Sequence, residues 1–198
     1  MIPRHWLHYY LARFHLALRR PERAVHEYNE ALRANPRFAL AAACLGFLHA
    51  SHQRYDQAVA AFDRALAIKP DDADIWFDLG YVYQQQTKDD DALRSFRRAT
   101  DLKPTLDRAW FGMGMVHRAR GENREAIPAF RKAAELQPFN PHAFYELAKA
   151  HYALDHVDEV RKIIKRVSDF DPQVTKQLIR ETGLLPYGVE PRTGVGRP

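Results

Sequence analysis

The hydrophobic residues of this chain are spaced for paired amphipathic helices. A clear example lies between residues 73 and 106, where two apolar patterns flank a short polar stretch. The first has the spacing i, i+3, i+4, i+7 of one helical face and consists of Trp76, Leu79, Gly80 and Tyr83. The second has the spacing i, i+4, i+7 and consists of Ala92, Phe96 and Ala99. Because the stretch between them is short, the two predicted helices should pack antiparallel.

The pair of patterns recurs every 34 residues. A proline follows each second helix and should end it, since proline lacks an N–H and disfavours the α conformation in the preceding residue. These prolines are Pro36, Pro70, Pro104, Pro138 and Pro172. A period of this length is typical of stacked two-element units that share a continuous core. The sequence therefore predicts five repeats, at residues 5–38, 39–72, 73–106, 107–140 and 141–174.

Two columns of the repeat predict how its helices pack. The eighth place of each repeat holds a small residue: Ala12, Gly46, Gly80, Gly114 and Ala148. The twenty-fourth place holds a large one: Tyr28, Phe62, Phe96, Phe130 and Ile164. We expect the small residue to let the second helix approach closely and place its large residue against the first helix. Pro128 falls inside a second helix and is expected to shift its start or bend it.

The two ends of the repeat array differ. Residues 173–182 carry Val174, Leu178 and Ile179 on one face and precede Gly183, a common helix stop. They are predicted to form a capping helix that completes a domain over residues 1–182, with a flexible Gly/Pro-rich tail at 183–198. At the N-terminal end, Trp6, Tyr9 and Tyr10 either shield the first repeat or meet another subunit.

Composition and charge add few constraints. The 198 residues are 46% hydrophobic and 28% charged, which favours an ordered chain. Cys44 is the single cysteine, so no intrachain disulfide can form. The formal charge of +5 permits an acidic partner without requiring one. No convincing signal segment or membrane span is found, so a cytoplasmic location is favoured and a periplasmic one stays open.

The order Trp76, Leu79, Gly80, Tyr83, Ala92, Phe96, Ala99 and Pro104 closely resembles the tetratricopeptide repeat. The resemblance covers about 170 of the 198 residues. It implies an all-α fold, a right-handed α-solenoid of antiparallel helix pairs with a C-terminal capping helix. It also implies a non-catalytic scaffold for protein–protein interaction, such as an adaptor, assembly factor or co-chaperone-like protein.

In this family the first helices of successive repeats line a concave groove. Carried onto this chain, the resemblance predicts a partner-binding groove of aromatic, mixed-charge character, because an exposed apolar strip usually marks a binding site. Its residues are Tyr9, Arg13, Phe47, Asp74, Phe77, Asp78, Tyr81, Gln84, Arg108, Phe111, Met115, Arg118, Tyr145, Lys149 and Tyr152.

The groove chemistry predicts a protein or peptide ligand. Some family members hold a partner's C-terminal carboxylate with Lys, Asn and Arg side chains, but the matching places here include Cys44, Asp74 and Asp78. An extended peptide or an amphipathic helix with apolar anchors and charges of both signs fits better. Rings would supply most of the affinity and the charges would set direction.

Catalytic and metal chemistry are not expected. The chain lacks a glycine-rich phosphate loop, a CxxC pair and an HExxH motif, and the repeat leaves little room for a catalytic domain. A histidine column at the eleventh place, His15, His49, His117 and His151, is spaced by whole repeats. Neighbouring helices lie about 8–10 Å apart, too far for these histidines to share one zinc ion. We therefore expect no cofactor, metal, small-molecule substrate or membrane contact.

Two alternatives stay open. The chain could assemble with itself through its N-terminal face or through residues 184–187 of a neighbour. It could also be a helical-repeat RNA-binding protein, although carboxylates in the groove would repel phosphate.

Overall fold

The structure is a computed structural model that describes residues 2–186 and Gly188. Within these residues it contains eleven α-helices and no strand. The helices are α1 Arg4–Ala17, α2 Pro21–Ala34, α3 Ala39–Ser51, α4 Tyr55–Ile68, α5 Ala73–Gln85, α6 Asp89–Leu102, α7 Asp107–Ala119, α8 Asn123–Leu136, α9 Pro141–Tyr152, α10 Val157–Ser168 and α11 Pro172–Thr182. The predicted all-α fold of helix pairs is confirmed.

The chain forms two compact units, Met1–Pro104 and Thr105–Pro198. In unit 1 the helices pack as the pairs α1/α2, α3/α4 and α5/α6, and the second helix of one pair packs on the first helix of the next. Unit 2 contains the pairs α7/α8 and α9/α10, joined through α8 and α9, and α11 packs on both α9 and α10. The single domain over residues 1–182 stays a prediction.

The core of each pair is built on the close approach of a small residue and a large one. The five large residues of the twenty-fourth place are at most 1% exposed. In the three middle repeats the glycine backbone lies directly against the ring. A Cβ added to Gly80 would stand 2.7 Å from Cδ1 of Phe96, and one added to Gly114 would stand 2.6 Å from Cδ1 of Phe130. Only the hydrogen of glycine leaves room for the phenylalanine ring at this depth.

The turn within each pair has the same backbone conformation in all five repeats. Its central residue has a positive φ, at Arg19, Gln53, Thr87, Gly121 and Asp155. The N–H of the following residue donates to a carbonyl five residues earlier, as Lys88 does to Tyr83 at 2.9 Å and Glu122 to His117 at 2.9 Å. This is the Schellman arrangement, which satisfies the last carbonyls of the first helix. Of these five residues, only Gly121 can adopt a positive φ without a steric cost.

The ends of the helices match the sequence in most respects. In unit 1, the Trp76 indole donates to the carbonyl of Pro70 at 2.8 Å and fixes α5 against the preceding loop. Pro128 does not shift the start of α8, which begins 34 residues after α6. Asp171 caps α11 by accepting from the N–H groups of Gln173 and Val174. Gly183 ends it in the left-handed conformation.

The expected flexible tail lies largely outside the described residues, which omit Tyr187 and 189–198. Among the residues that are described, the helices are too short or too polar to cross a lipid bilayer.

Replacing Gly80 with alanine is predicted to destabilise the protein. Alanine gains about 1 kcal/mol of helix propensity over glycine, but overpacking a tight core costs about 1–3 kcal/mol. We therefore expect a net loss of about 1 kcal/mol in the free energy of unfolding, measured by urea denaturation.

The matched control removes the ring. The fifth repeat pairs Ala148 with Ile164, so in a Phe96→Ile background the Gly80→Ala change should lose its penalty. An equal penalty in both backgrounds would show that contact with the ring is not the cause.

The turns generate a second prediction. Thr87 is β-branched and holds a φ of 56°, so Thr87→Gly should stabilise unit 1 by about 0.5–1 kcal/mol, since the left-handed region costs non-glycine residues about 1–2 kcal/mol. The opposite change, Gly121→Thr, should destabilise unit 2. Melting temperatures of the two variants that move in the same direction would contradict this account of the turns.

Candidate functional site

The predicted groove surface of unit 1 contains an open cavity of about 700 Å³. The cavity lies between α1, α2 and α3, with one residue of α5 at its edge. Its lining is mostly apolar and consists of Leu16, Arg19, Pro21, Tyr28, Ala43, Cys44, Phe47, Leu48, Ser51, His52 and Asp78. This volume is in the range of ordinary ligand pockets.

Two aromatic side chains of unit 1 project from this surface. Phe47 on α3 is 64% exposed, and Tyr81 on α5 occupies the same repeat place and is 47% exposed. Arg13 on α1, also at this place, is exposed, and Gln84 on α5 is half-buried. Equivalent positions on α1, α3 and α5 therefore hold an arginine, a phenylalanine and a tyrosine.

The other predicted groove residues of unit 1 are partly engaged within the protein. The Asp74 carboxylate lies 3.7 Å from the ammonium of Lys103. Phe77 is half-buried, and its ring centroid lies 5.8 Å from that of Phe96. Asp78 is half-buried at the edge of the cavity. Phe77 thus belongs partly to the core.

Tyr9 is buried and does not project from the predicted groove surface. It is 7% exposed, and its ring packs against Trp6 at a centroid distance of 5.5 Å and against Phe38 at 5.6 Å. The aromatic cluster at the start of the chain draws Tyr9 into the core, and the expected exposure of its ring is wrong. Tyr10, the next residue, is the exposed one.

Cys44 is one of the residues that line the cavity. Burial raises the pKa of its thiol, against the opposing effect of the Tyr28 and Tyr9 hydroxyls and of Arg13. The thiol is therefore protonated at neutral pH and is a poor nucleophile. Its contribution to the cavity is that of a small apolar residue.

In unit 2, helix α11 packs against the part of the predicted groove surface that Tyr145 and Lys149 form. The Tyr145 hydroxyl donates to the Glu181 carboxylate at 2.8 Å and accepts from the Gln177 amide at 3.0 Å. The Lys149 ammonium lies 3.4 Å from the same carboxylate and 5.6 Å from the centroid of the Tyr145 ring. Tyr145 and Lys149 thus hold α11 against α9.

A second set of charged residues in unit 2 is also paired within the protein. The Arg118 guanidinium lies 3.1 Å from Glu146, whose side chain is 14% exposed. Burial raises the pKa of Glu146, while Arg118 and Lys149 lower it. Arg118 also approaches the sulfur of Met115 at 3.8 Å. This partly buried pair joins α7 to α9, and its two charges already neutralise each other.

Three predicted residues of unit 2 remain. Phe111 is half-buried, with its ring centroid 5.6 Å from that of Phe130. Arg108 is exposed, and so is Tyr152. The repeat pattern alone did not predict that α11 packs on the groove surface of α9. The signal was present, because Gln177 and Glu181 are four residues apart and so share one helical face.

The histidine column lies at the turns of the helix pairs. His49 and His151 are buried, His117 Nδ1 lies 2.7 Å from Glu122, and His151 Nδ1 lies 3.1 Å from His156 Nδ1. Among the described residues no cluster of three or more metal-binding side chains occurs. His117 and His151 thus contact residues of their own turns.

Comparison with known families fits this repeat geometry. Models described as TPR repeat or tetratricopeptide repeat match residues 49–87, 73–106 and 117–178. The chain belongs to the tetratricopeptide repeat family. A protein–protein interaction scaffold is the role that this membership supports. No curated protein matches the chain.

Solved tetratricopeptide structures share the fold at low sequence identity. A crystal structure of MamA is 18% identical, with a TM-score of 0.79 over 96% of this chain and 100% of that one. PilF from Pseudomonas aeruginosa is 19% identical, with a TM-score of 0.74 over 89% and 83% of the two chains. YrrB, described as a TPR protein with an unusual peptide-binding site, is 22% identical, with a TM-score of 0.72 over 87% and 90%.

The two buried histidines, His49 and His151, predict that the stability of this protein decreases in acid. Burial lowers the pKa of His49, with Arg54 adding to the effect, and lowers that of His151, with His156 adding to it. The unfolded chain therefore binds more protons below a pH of about 6.5, and stability falls as the pH decreases through that value.

We expect the melting temperature to fall between pH 7.5 and pH 5.5, and to fall less in the variant His49→Gln/His151→Gln. Subtracting the two profiles removes the contribution of carboxyl groups such as Glu146, which both proteins share. Parallel profiles would show that the two histidines do not cause the acid sensitivity.

Proposed function

We propose that the protein is a non-catalytic interaction module and that unit 1 binds a peptide or an amphipathic helix of a partner. The observation that carries the proposal is Phe47, a large ring that is 64% exposed at an apolar cavity of about 700 Å³. An aromatic residue beside an apolar pocket is the usual anchor of a protein interface.

The apolar part of the site fits an aliphatic or aromatic side chain of the ligand. Leu16, Ala43 and Leu48 line the cavity from α1 and α3. Because the cavity is open to solvent, a side chain of a bound segment can enter without an opening of the helix pairs. Removal of that side chain and of Phe47 from water would supply most of the binding free energy.

The charged part of the site fits a ligand with charges of both signs. Arg19 lines the cavity from the turn after α1, and Asp78 lines it from α5. A segment that crosses from α1 to α5 would meet a cation first and a carboxylate afterwards. Such an arrangement discriminates between the two chain directions.

Unit 2 is proposed to contribute less to binding. Tyr145, Lys149 and Arg118 are engaged with Glu181 and Glu146, so a ligand would have to break these pairs. Arg108 and Tyr152 are exposed and stay candidate contact residues. YrrB, a relative in fold, is described by its peptide-binding site, which is consistent with a peptide ligand here.

The proposal is tested by selecting peptides from a displayed random library against the intact protein. Affinities of the selected peptides are then measured by fluorescence anisotropy. The double variant Phe47→Ala/Tyr81→Ala should weaken binding at least about tenfold, the size of effect expected for interface aromatic residues. Both rings are exposed, so the melting temperature should change little.

Phe139→Ala is the matched control, because Phe139 in unit 2 is 73% exposed and far from the proposed site in sequence. This control should bind the selected peptides like the wild type. Peptides that bind equally well to the Phe47/Tyr81 variant would refute the assignment of the site. Steeply salt-dependent binding of single-stranded RNA, in the absence of peptide binding, would favour the RNA alternative.

A further inference from the structure

Helix α1 carries a second apolar face that no described residue covers. Leu7, Leu11 and Phe14 lie at the spacing i, i+4, i+7 and share one side of the helix. Leu7 is 49% exposed, Leu11 37% and Phe14 57%. Leu18, one turn further, is also exposed. We call Leu7, Leu11, Phe14 and Leu18 the α1 seam.

The repeat shows what normally covers this face. Residues equivalent to Leu7, Leu11 and Phe14 occur in α3, α5 and α9, and all nine of them are buried. They are Ala41, Leu45 and Leu48 in α3, Ile75, Leu79 and Val82 in α5, and Ala143, Leu147 and Ala150 in α9. Each of these helices packs against the second helix of the preceding pair, namely α2, α4 or α8. At these places the repeat is built to receive a helix.

The charged residues of α1 and its ends are arginines, while the packed helix α2 brings the Glu27 carboxylate to 2.7 Å from Nδ1 of His8. Residues 1–20 contain Arg4, Arg13, Arg19 and Arg20 and no Asp or Glu, so they carry four of the five net positive charges of the chain. Arg4 precedes the seam and Arg20 follows it, whereas Arg19 lines the cavity at Phe47. A partner that carries carboxylates at both ends of its apolar stripe would be attracted to this face.

We propose that the α1 seam binds an acidic amphipathic helix of a partner protein. The partner helix packs across Leu7, Leu11 and Phe14 in the way that α4 packs on α5, and its carboxylates approach the flanking arginines. This surface is distinct from the cavity at Phe47 and adds a second interaction to the proposed module.

A second copy of the chain fits this surface poorly. Two α1 helices that paired antiparallel would bring Arg4 of one copy towards Arg20 of the other. At the C-terminal end of the chain, the exposed residues of α11 include Lys176 and Arg180, which have the same sign as the arginines of α1. The exposed Glu181 of this helix is engaged with Tyr145 and Lys149. Charge complementarity therefore favours an acidic helix from a different protein.

The test uses the intact protein and a synthetic peptide as the probe. The probe is a blocked, fluorescein-labelled helix of about 18 residues, long enough to hold helical structure, with leucine in an a/d stripe and glutamate beside it. A matched peptide has lysine in place of each glutamate. We expect the acidic peptide to bind, the basic peptide to bind at least about tenfold more weakly, and added salt to reduce the difference.

Two variants locate the binding surface. Leu7→Gln/Phe14→Gln should weaken the acidic peptide at least about tenfold, because it removes two apolar contacts. Arg4→Glu/Arg20→Glu should reverse the preference in favour of the basic peptide. The groove variant Phe47→Ala/Tyr81→Ala should bind the acidic peptide like the wild type, so failure of the groove proposal and failure of this one are distinguishable.

Four outcomes would contradict the proposed binding of an acidic helix to the α1 seam. Unchanged binding by Leu7→Gln/Phe14→Gln, or loss of binding by the groove variant, overturns the proposal. Co-sedimentation with phosphatidylglycerol vesicles that depends on Leu7 and Phe14, with no peptide binding, would assign the face to a membrane surface instead. A dimer by light scattering that Leu7→Gln/Phe14→Gln converts to a monomer would assign it to self-association.

Discussion

The structure depends on one steric constraint, the contact between a residue with almost no side chain and a ring that fills the space. Gly46, Gly80 and Gly114 each lie against the phenylalanine sixteen residues later. The contact sets the distance between the two helices of a pair and so fixes which side chains remain on the outer faces. At the end repeats alanine replaces glycine, and the opposing residue is Tyr28 or Ile164, whose shapes differ from that of phenylalanine.

Sequence alone predicted the helices well because their signals are local. The 34-residue period, the small and large columns and the terminal prolines placed every helix pair, and Gly183 marked the end of α11. The groove was predicted less well. The exposure of a side chain depends on its neighbours, and these differ from one repeat to the next. Equivalent positions in the repeat therefore need not be equally exposed. Tyr9 occupies the same column as the half-buried Phe77, yet Trp6 and Phe38, which are specific to the first repeat, enclose it.

The same limit explains unit 2. Its column residues Tyr145 and Lys149 match the groove pattern, but the pattern contains no information on where α11 packs. Glu181 and Gln177 supply hydrogen-bonding partners that a ligand would otherwise provide. The result is a molecule whose two units present different surfaces, an open apolar cavity in unit 1 and a closed polar network in unit 2.

The Schellman turns affect how the protein acquires its structure. Their hydrogen bonds join residues no more than five positions apart, as between Arg54 and His49 at 2.9 Å, and the paired helices are adjacent in the chain. Contacts of such short sequence separation lose little chain entropy when they form, so each hairpin can fold with little help from distant parts of the chain. Folding should therefore be fast and should spread from one hairpin to the next, with speed set by the weakest junction between neighbouring hairpins.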